Sequence, residues 1–276
     1  MLKNIFSQLK DRGIRGFSYS ALNILLSRLF GLCLTRVVSI EGNATARKIF
    51  SKRKLLYSEE GFYFLNPMPS LEELDQYYRS LYWDSRSGKN YGVNVRDLVH
   101  YTILDEHIPQ ALNIGKTALN FGAGHGGISN LFWLRGMTVI NVEPSHMPEF
   151  YHDRWTNFES IKHVPSNSVD LLYGSHSLEH VHDLDEFKAE VARILRPGGF
   201  MFWEVPNANC PTNGAQNGHV DIPHTYYFES NFFEQWFSQT ILCSGFKQCY
   251  KFNVIQNWQE YQDTKGRVII ALGRVH

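Results

Sequence analysis

One octet constrains the fold more than any other stretch of this chain. Asn120-Phe-Gly-Ala-Gly-His-Gly-Gly127 stands between the apolar run Thr117–Phe121 and a helical face made by Ile128, Leu131, Phe132 and Leu134. A backbone that leaves a buried strand, turns sharply and enters a helix needs residues without Cβ at the turn, and glycine supplies them. Met137–Val142 is the next apolar run, and Glu143 closes it 21 positions after Gly122. A carboxylate at that place can accept hydrogen bonds from both hydroxyls of a ribose. Turn and carboxylate together predict a site for an adenosine-type cofactor. Gly122, Gly124 and Gly127 also satisfy the dinucleotide fingerprint G-x-G-x-x-G, and a tight turn with a purely structural role is a third reading.

The alternation that begins here continues. A helix is predicted over 97–112 and a strand over Val169–Tyr173. Leu184, Phe187, Val191, Ile194 and Leu195 recur at helical spacing and are followed by the turn Arg196-Pro-Gly-Gly199 and the strand Phe200–Val205. Phe232, Phe233, Trp236, Phe237 and Ile241 mark a late helix, and Phe246–Val254 and Arg267–Leu272 are strands expected to pair with each other. Strands alternating with helices imply an α/β fold, a doubly wound and mainly parallel sheet covered on both faces. Ligands in such sheets bind beyond the carboxyl ends of the strands.

Upstream the pattern differs, and the predicted organisation is 1–54, 55–95 and 96–276. Residues 55–69 suggest short strands ending in a proline turn, and Ser70-Leu-Glu-Glu73 has the capping-box pattern of a helix running through Tyr77, Tyr78 and Leu81. The polar stretch 84–95 is the candidate boundary loop. Residues 3–36 have the pattern of a basic amphipathic helix, and 1–54 carry eleven Lys and Arg against Asp11 and Glu41. Two roles suit such a segment. It lies on an anionic membrane surface through residues 1–40, or it is a helical extension packed on the domain or on a second copy of the chain.

Composition narrows the function classes. The 276 residues are 43% hydrophobic and 20% charged, enough for a sizeable core. The 27 basic residues balance 27 acidic ones, so a nucleic-acid partner is not expected. Cys33, Cys210, Cys243 and Cys249 show no C-x-x-C spacing, which suits a reducing, cytoplasmic setting. Gly16 to Ile40 is broken by Arg28 and Arg36, short of a clean span, so membrane contact is expected only as peripheral, at the inner face.

A second stretch separates the cofactor readings. Ser168-Val-Asp-Leu-Leu-Tyr-Gly-Ser-His-Ser-Leu-Glu-His180 leads to Leu195-Arg-Pro-Gly-Gly199 and then to Val205-Pro-Asn207. In that order, from about Thr117 to Phe246, the chain resembles class I S-adenosylmethionine-dependent methyltransferases, in a branch similar to small-molecule and sugar O-methyltransferases. The resemblance implies that Gly122, Ala123 and Gly124 pass under the amino-acid part of the cofactor and that Glu143 holds its ribose. It places Asn157 near the adenine and the backbone at Ser175 and His176 past the sulfonium. Asn120 stands where the family usually has Asp or Glu, which keeps open a methyltransferase-like binding subunit of weak or absent activity. A nicotinamide-dependent oxidoreductase is the rival enzyme class.

An activated sulfonium methyl asks chiefly for in-line positioning of the acceptor. An oxygen acceptor also calls for a base near neutral pKa, usually histidine. His180, preceded by Glu179, follows the strand whose end faces the methyl group, and His224 matches a histidine that similar enzymes place over the acceptor. These three are the candidate catalytic residues; capping and bracing of the loop is their bland alternative. Tyr226, Tyr227 and Trp203 are candidate pocket residues. His176-x-x-Glu179-His180 and His219-x-Asp221-x-x-His224 also have nitrogen and oxygen donors of the kind metals take. Some similar quinone O-methyltransferases carry Glu-x-x-Glu-His at the first place and use a divalent cation. Here His176 stands at their first Glu, and no metal is expected. The acceptor is expected to be a hydroxyl of a small molecule or a glycan, free or lipid-linked.

Overall fold

A computed structural model describes residues 32–33, 36–37, 53–78, 92–144, 154–210, 214–215, 219–220, 223–244, 249–254, 257–262 and 266–275. Along the chain these form β1 (Leu32–Cys33), β2 (Arg36–Val37), β3 (Lys54–Ser58), β4 (Phe62–Asn66) and α1 (Leu71–Tyr77). Next come α2 (Val95–His107), β5 (Thr117–Phe121), α3 (Gly127–Leu134), β6 (Thr138–Val142) and β7 (Thr156–Phe158). Then follow β8 (Val169–Ser175), α4 (Leu184–Ile194), β9 (Leu195–Pro206), β10 (His219–Val220) and β11 (Tyr226–Phe228). α5 (Ser230–Trp236), β12 (Gln239–Ser244), β13 (Cys249–Val254), β14 (Asn257–Gln262) and β15 (Val268–Arg274) complete the described elements.

Seven strands form the central sheet in the order β12-β15-β9-β8-β5-β6-β7. The five from β9 to β7 are parallel to their neighbours, and β15 runs antiparallel between β9 and β12. The expected α/β sheet is therefore present, with one strand reversed. Side chains alternate between its faces, as the period of two along a strand requires. Leu171, Tyr173, Phe200, Phe202, Ile270 and Leu272 pack with Val99, Ile103 and Phe132 of α2 and α3. Leu172, Met201, Trp203, Val205, Ile269 and Ala271 pack with Phe187 and Val191 of α4 and Phe232 and Phe233 of α5. From β5 the chain moves outward through β6 and β7, then returns to place β8 on the other side of β5. The crevice at that reversal is where a ligand is expected to bind.

Helix starts follow local chemistry. Ser70 and Glu73 close the anticipated capping box of α1, Asn94 and Asp97 close another on α2, and Asp183 accepts from the Glu186 N–H at α4. Each satisfies donors that the first helical turn leaves open.

The lead-in strands belong to the same body as the site. β4 pairs with β11 in the sheet β1-β3-β4-β11, and Leu55, Tyr63 and Leu65 share a core with Ala208 and Tyr227. Three expectations are corrected. The helix pattern assigned to 3–36 does not hold at β1 and β2, because Leu32 and Cys33 pair with Leu56 and Leu55 along β3, and β2 pairs with β10. The other residues of 1–52 lie outside the described ones, as do Leu81 and 84–91. The late helix stops at Trp236; Phe237 is extended, and Ile241 lies in β12 against β15. The last strands do not pair with each other. β13 pairs with β14, and β15 is drawn between β9 and β12, where Ile269 to Leu272 become buried.

Candidate functional site

The glycine turn closes as its residues require. Gly122 and Gly124 have φ of +69° and +50°, and a Cβ on Gly122 would fall 2.5 Å from Ser177 Cβ. Gly122 and Ala123 donate their N–H groups to Val142 O at 2.8 and 3.3 Å, fastening the turn to the end of β6. Glu143, buried just beyond that strand, accepts from the Gly124 N–H at 2.8 Å. Beside Gly124 the space that a Cβ would take is open to 4 Å. A carboxylate thus borders an open, backbone-lined cradle. These residues fit the amino-acid and ribose parts of the cofactor that the sequence implied.

Under the turn runs a row of neutral amides. Asn120, Asn141 and Asn157 sit in register on β5, β6 and β7. Asn120 Nδ2 donates to Ser129 Oγ at 2.9 Å, Ser129 Oγ donates to Asn141 Oδ1 at 2.7 Å, and Asn141 Nδ2 donates to Asn157 Oδ1 at 3.3 Å. The row explains residue 120 physically. With Ser129 donating to Asn141, position 120 serves as the donor in this row, a role an ionised Asp cannot fill. The Asn157 oxygen is used within the row.

The other side of the crevice is charged. Ser175 ends β8, and His176, the next residue, holds a left-handed φ of +51°, a conformation costly for a residue with a Cβ. Its Nδ1 lies 3.2 Å from Glu179 Oε1 and its Nε2 lies 3.4 Å from Glu204 Oε1. Both carboxylates are buried, at 1% and 0% side-chain exposure. Glu204 also accepts from Ser175 Oγ at 3.1 Å, and its Oε2 lies 2.6 Å from His100 Nε2, while His100 Nδ1 meets the Tyr173 hydroxyl at 2.7 Å.

Electrostatics follow from these contacts. Burial alone would lower the His176 imidazole, but Glu179 and Glu204 raise it to about 9. Burial disfavours both carboxylates, yet the imidazoles outweigh it: His176 leads in holding Glu179 below its usual range, and His100 leads in holding Glu204 well below. Burial pushes His224 down to about 3, with His180 adding to the effect and Glu179 opposing it. His224 is therefore neutral across the ordinary pH range, and an acid limb near the usual histidine pKa is not expected from it.

The structure brings Glu179, His180 and His224 together. His180 Nε2 and His224 Nε2 each lie 3.9 Å from Glu179 Oε1, and the two rings meet edge-on at 4.9 Å. Thr225 sets this meeting. Its N–H and Oγ1 both donate to Glu179 O, at 2.9 and 3.0 Å, and Oγ1 also contacts Val181 O at 2.7 Å. Trp203 is not a pocket residue: it is fully buried among Phe121, Phe187 and Trp236. His219 is in β10 with its side chain outside the described residues, and Asp221 lies outside them altogether. Sequence reasoning missed Glu204 and His100. A lone acid in the apolar run Phe200–Val205 was the available signal for Glu204.

A family model described as a methyltransferase domain matches residues 95–242, just over half of the chain. An uncharacterized methyltransferase of Mycobacteroides abscessus is 26% identical, over 54% of this chain and 61% of its own length. A ubiquinone biosynthesis O-methyltransferase of Bradyrhizobium sp. is 29% identical, over 34% of this chain and 42% of its own length. The chain thus spans about half the length of the curated relatives it matches. The crystal structure of Burkholderia thailandensis 1,6-didemethyltoxoflavin-N1-methyltransferase, with bound 1,6-didemethyltoxoflavin and S-adenosylhomocysteine, shares the fold. Its TM-score is 0.50 at 15% identity, covering 82% of this chain and 96% of that one.

Proposed function

The chain belongs to the methyltransferase-domain family, and from that premise we propose that it transfers a methyl group from S-adenosylmethionine to a hydroxyl of a small molecule or glycan. The observation that carries the reading is the pairing of two dissimilar half-sites at the reversal between β5 and β8. One is the open turn at Gly122–Gly124 bordered by Glu143; the other is the cluster of Glu179, His180 and His224. The hydroxyl acceptor is supported by the cluster's imidazoles and by the O-methyltransferases among the curated relatives.

The chemistry is a single in-line displacement. The acceptor oxygen forms a bond to the methyl carbon as the carbon–sulfur bond breaks, and S-adenosylhomocysteine leaves. The acceptor proton goes to His180, while His224, kept neutral by burial, packs edge-on against it. Glu179, anionic and 3.9 Å from both Nε2 atoms, faces the imidazolium that forms and stabilises its charge. In the same proposal residues 1–40 bring the protein to an anionic membrane face, where a lipid-linked glycan would be met.

Calorimetric titration of the full chain with S-adenosylmethionine, S-adenosylhomocysteine and NAD tests the cofactor. One site for the first two and none for NAD is the expected result, and tight NAD binding would overturn the class. With an acceptor found by screening, His180→Ala should keep cofactor affinity within a few-fold and cut turnover by about 10²–10⁴. Wild-type turnover in that variant would make His180 structural.

A further inference from the structure

We propose that His176 is a positioning residue for the methyl transfer: held as a fixed cation between two buried carboxylates, it aims Glu179 at His180. The inference deepens the function proposed above and rests on it, since His180 is the proton acceptor there. His176 itself takes no proton from the acceptor.

The geometry asks for a doubly protonated ring. His176 Nδ1 lies 3.2 Å from Glu179 Oε1 and Nε2 lies 3.4 Å from Glu204 Oε1, ion-pair distance on both sides. A neutral imidazole has one N–H, so one of the two anions would face a lone pair; the imidazolium offers a donor to each. Neither carboxylate can turn to water, at 1% and 0% exposure. Glu204 is also tied on its far side, where Oε2 lies 2.6 Å from His100 Nε2 and accepts from Ser175 Oγ, and this directs Oε1 to His176. Burial by itself would lower the His176 ring, but the two anions raise it to about 9, so it stays charged at neutral pH.

The backbone gives a second, independent observation. His176 holds its φ of +51° while its N–H donates to Glu204 O at 2.8 Å, so main chain and ring are both tied to one residue of β9. A side chain persists in that conformation only where its surroundings impose it, and such strain gathers at functional sites. Glycine or asparagine would sit there at lower cost. Backbone geometry therefore does not account for a histidine at this position; its ring does.

Three imidazoles share Glu179 Oε1. His176 is the nearest at 3.2 Å, and His180 and His224 each lie 3.9 Å away. The contact with His176 fixes the oxygen in one orientation and answers part of its charge. His180 is thereby left a base that can take the acceptor proton and release it again. Without His176, Glu179 would draw on His180 as its cation, and His180 would hold a proton to higher pH. The charged and titratable groups around His176 are Glu179 and His180 of the turn after β8, Glu204 of β9 and His224 of the loop before β11. Beyond Glu204 stand His100 and Arg96 of α2.

The test needs no acceptor. Histidine rings of the full-length protein are labelled with ¹⁵N and followed by NMR across neutral and alkaline pH, with His176→Asn, His180→Gln and His224→Gln assigning the signals. The expected result is a His176 ring protonated on both nitrogens at neutral pH and losing a proton near 9. Glu204→Gln, which removes one anion and keeps its shape, should lower that midpoint by about one pH unit or more, a tenfold loss of proton affinity. In His176→Asn, which suits the left-handed backbone, the His180 midpoint should rise by about half a pH unit or more, roughly threefold in proton affinity. Once an acceptor is found, the acid limb of turnover should move up with it. Circular-dichroism melts and S-adenosylmethionine titration of every variant report folding. A neutral His176 at neutral pH overturns the proposal, as does an unmoved His180 midpoint in folded His176→Asn. Should His176→Asn fail to fold, an unmoved His176 midpoint in Glu204→Gln overturns it as well. A charged His176 in a protein that binds no S-adenosylmethionine would sink the methyltransferase reading and leave the ion pairs standing.

Discussion

The two banks of the crevice use opposite electrostatics. Along β5, β6 and β7 the polar side chains are neutral, three asparagines and a serine passing hydrogen bonds across one row, with Glu143 as the bordering charge. At the ends of β8 and β9 two buried carboxylates stand among His100, His176, His180 and His224. The neutral bank closes within three adjacent strands and the helix α3 that follows the glycine turn. The charged bank is assembled from α2, β8, the turn after it, β9 and the loop before β11. Glu204 depends on partners far away in sequence and Glu179 on local ones together with His224, so removal of Glu204 in particular should propagate across several elements.

The largest expected effect is therefore at Glu204. Glu204→Ala leaves His100, His176 and the Ser175 hydroxyl facing a void, and should cost about 3–5 kcal/mol in denaturant unfolding, as breaking a buried ion pair does. A loss below 1 kcal/mol would mean that the charged bank is held by backbone alone. On the neutral bank, Glu143→Ala should weaken S-adenosylmethionine by about 1.5–3 kcal/mol in a binding titration, the worth of charge-assisted hydrogen bonds to a ribose. Unchanged affinity would remove Glu143 from the site.

Asn120→Asp sharpens the same contrast from within. The buried carboxylate would meet a serine hydroxyl already committed to Asn141, so stability should fall by about 1–3 kcal/mol. A more stable variant would show that the neutral row tolerates charge.

The smallest effect lies at the opposite end of β8, away from the crevice. Asp170 is disfavoured by burial, but the Thr117 N–H, Lys116 and Arg196 outweigh this and lower its pKa from 3.8. With the folded value below the unfolded one, its contribution is complete above about pH 4 and is lost as pH falls through the folded value. Thermal midpoints of the wild type and Asp170→Asn should differ at pH 7 and converge in that acid range. A constant gap at all pH values would rule out the ionic origin.

Some of this was legible because it is local. The turn at Gly122–Gly124, Glu143 at the end of the next strand and the capping box at Ser70 each need only neighbours a few residues away or a fixed strand–helix–strand length. Phe232–Phe237 shows the limit: an aromatic run fits helical and strand periods alike, and only the pairing of β12 with β15 fixed where α5 stops. β7, three residues long, carried too short a pattern to be seen and exists because Asn157 pairs with Asn141. Glu204 was hidden for a related reason: one acid inside an apolar strand marks an oddity but assigns no role until its partners are known.

What the sequence determined by itself was the alternation of strands and helices from β5 to β9, apart from β7, the glycine turn with its downstream carboxylate, and thereby the bank of the crevice on which a cofactor would lie. Backbone conformation and short-range periodicity suffice for that. Tertiary structure decided the rest: the insertion of β15 between β9 and β12, the joining of the lead-in strands to β11, and the convergence of Glu179, His180 and His224. Those depend on which surfaces bury each other across long loops, and burial in turn sets the charges. Glu179 stays anionic and His224 neutral because of what surrounds them in space.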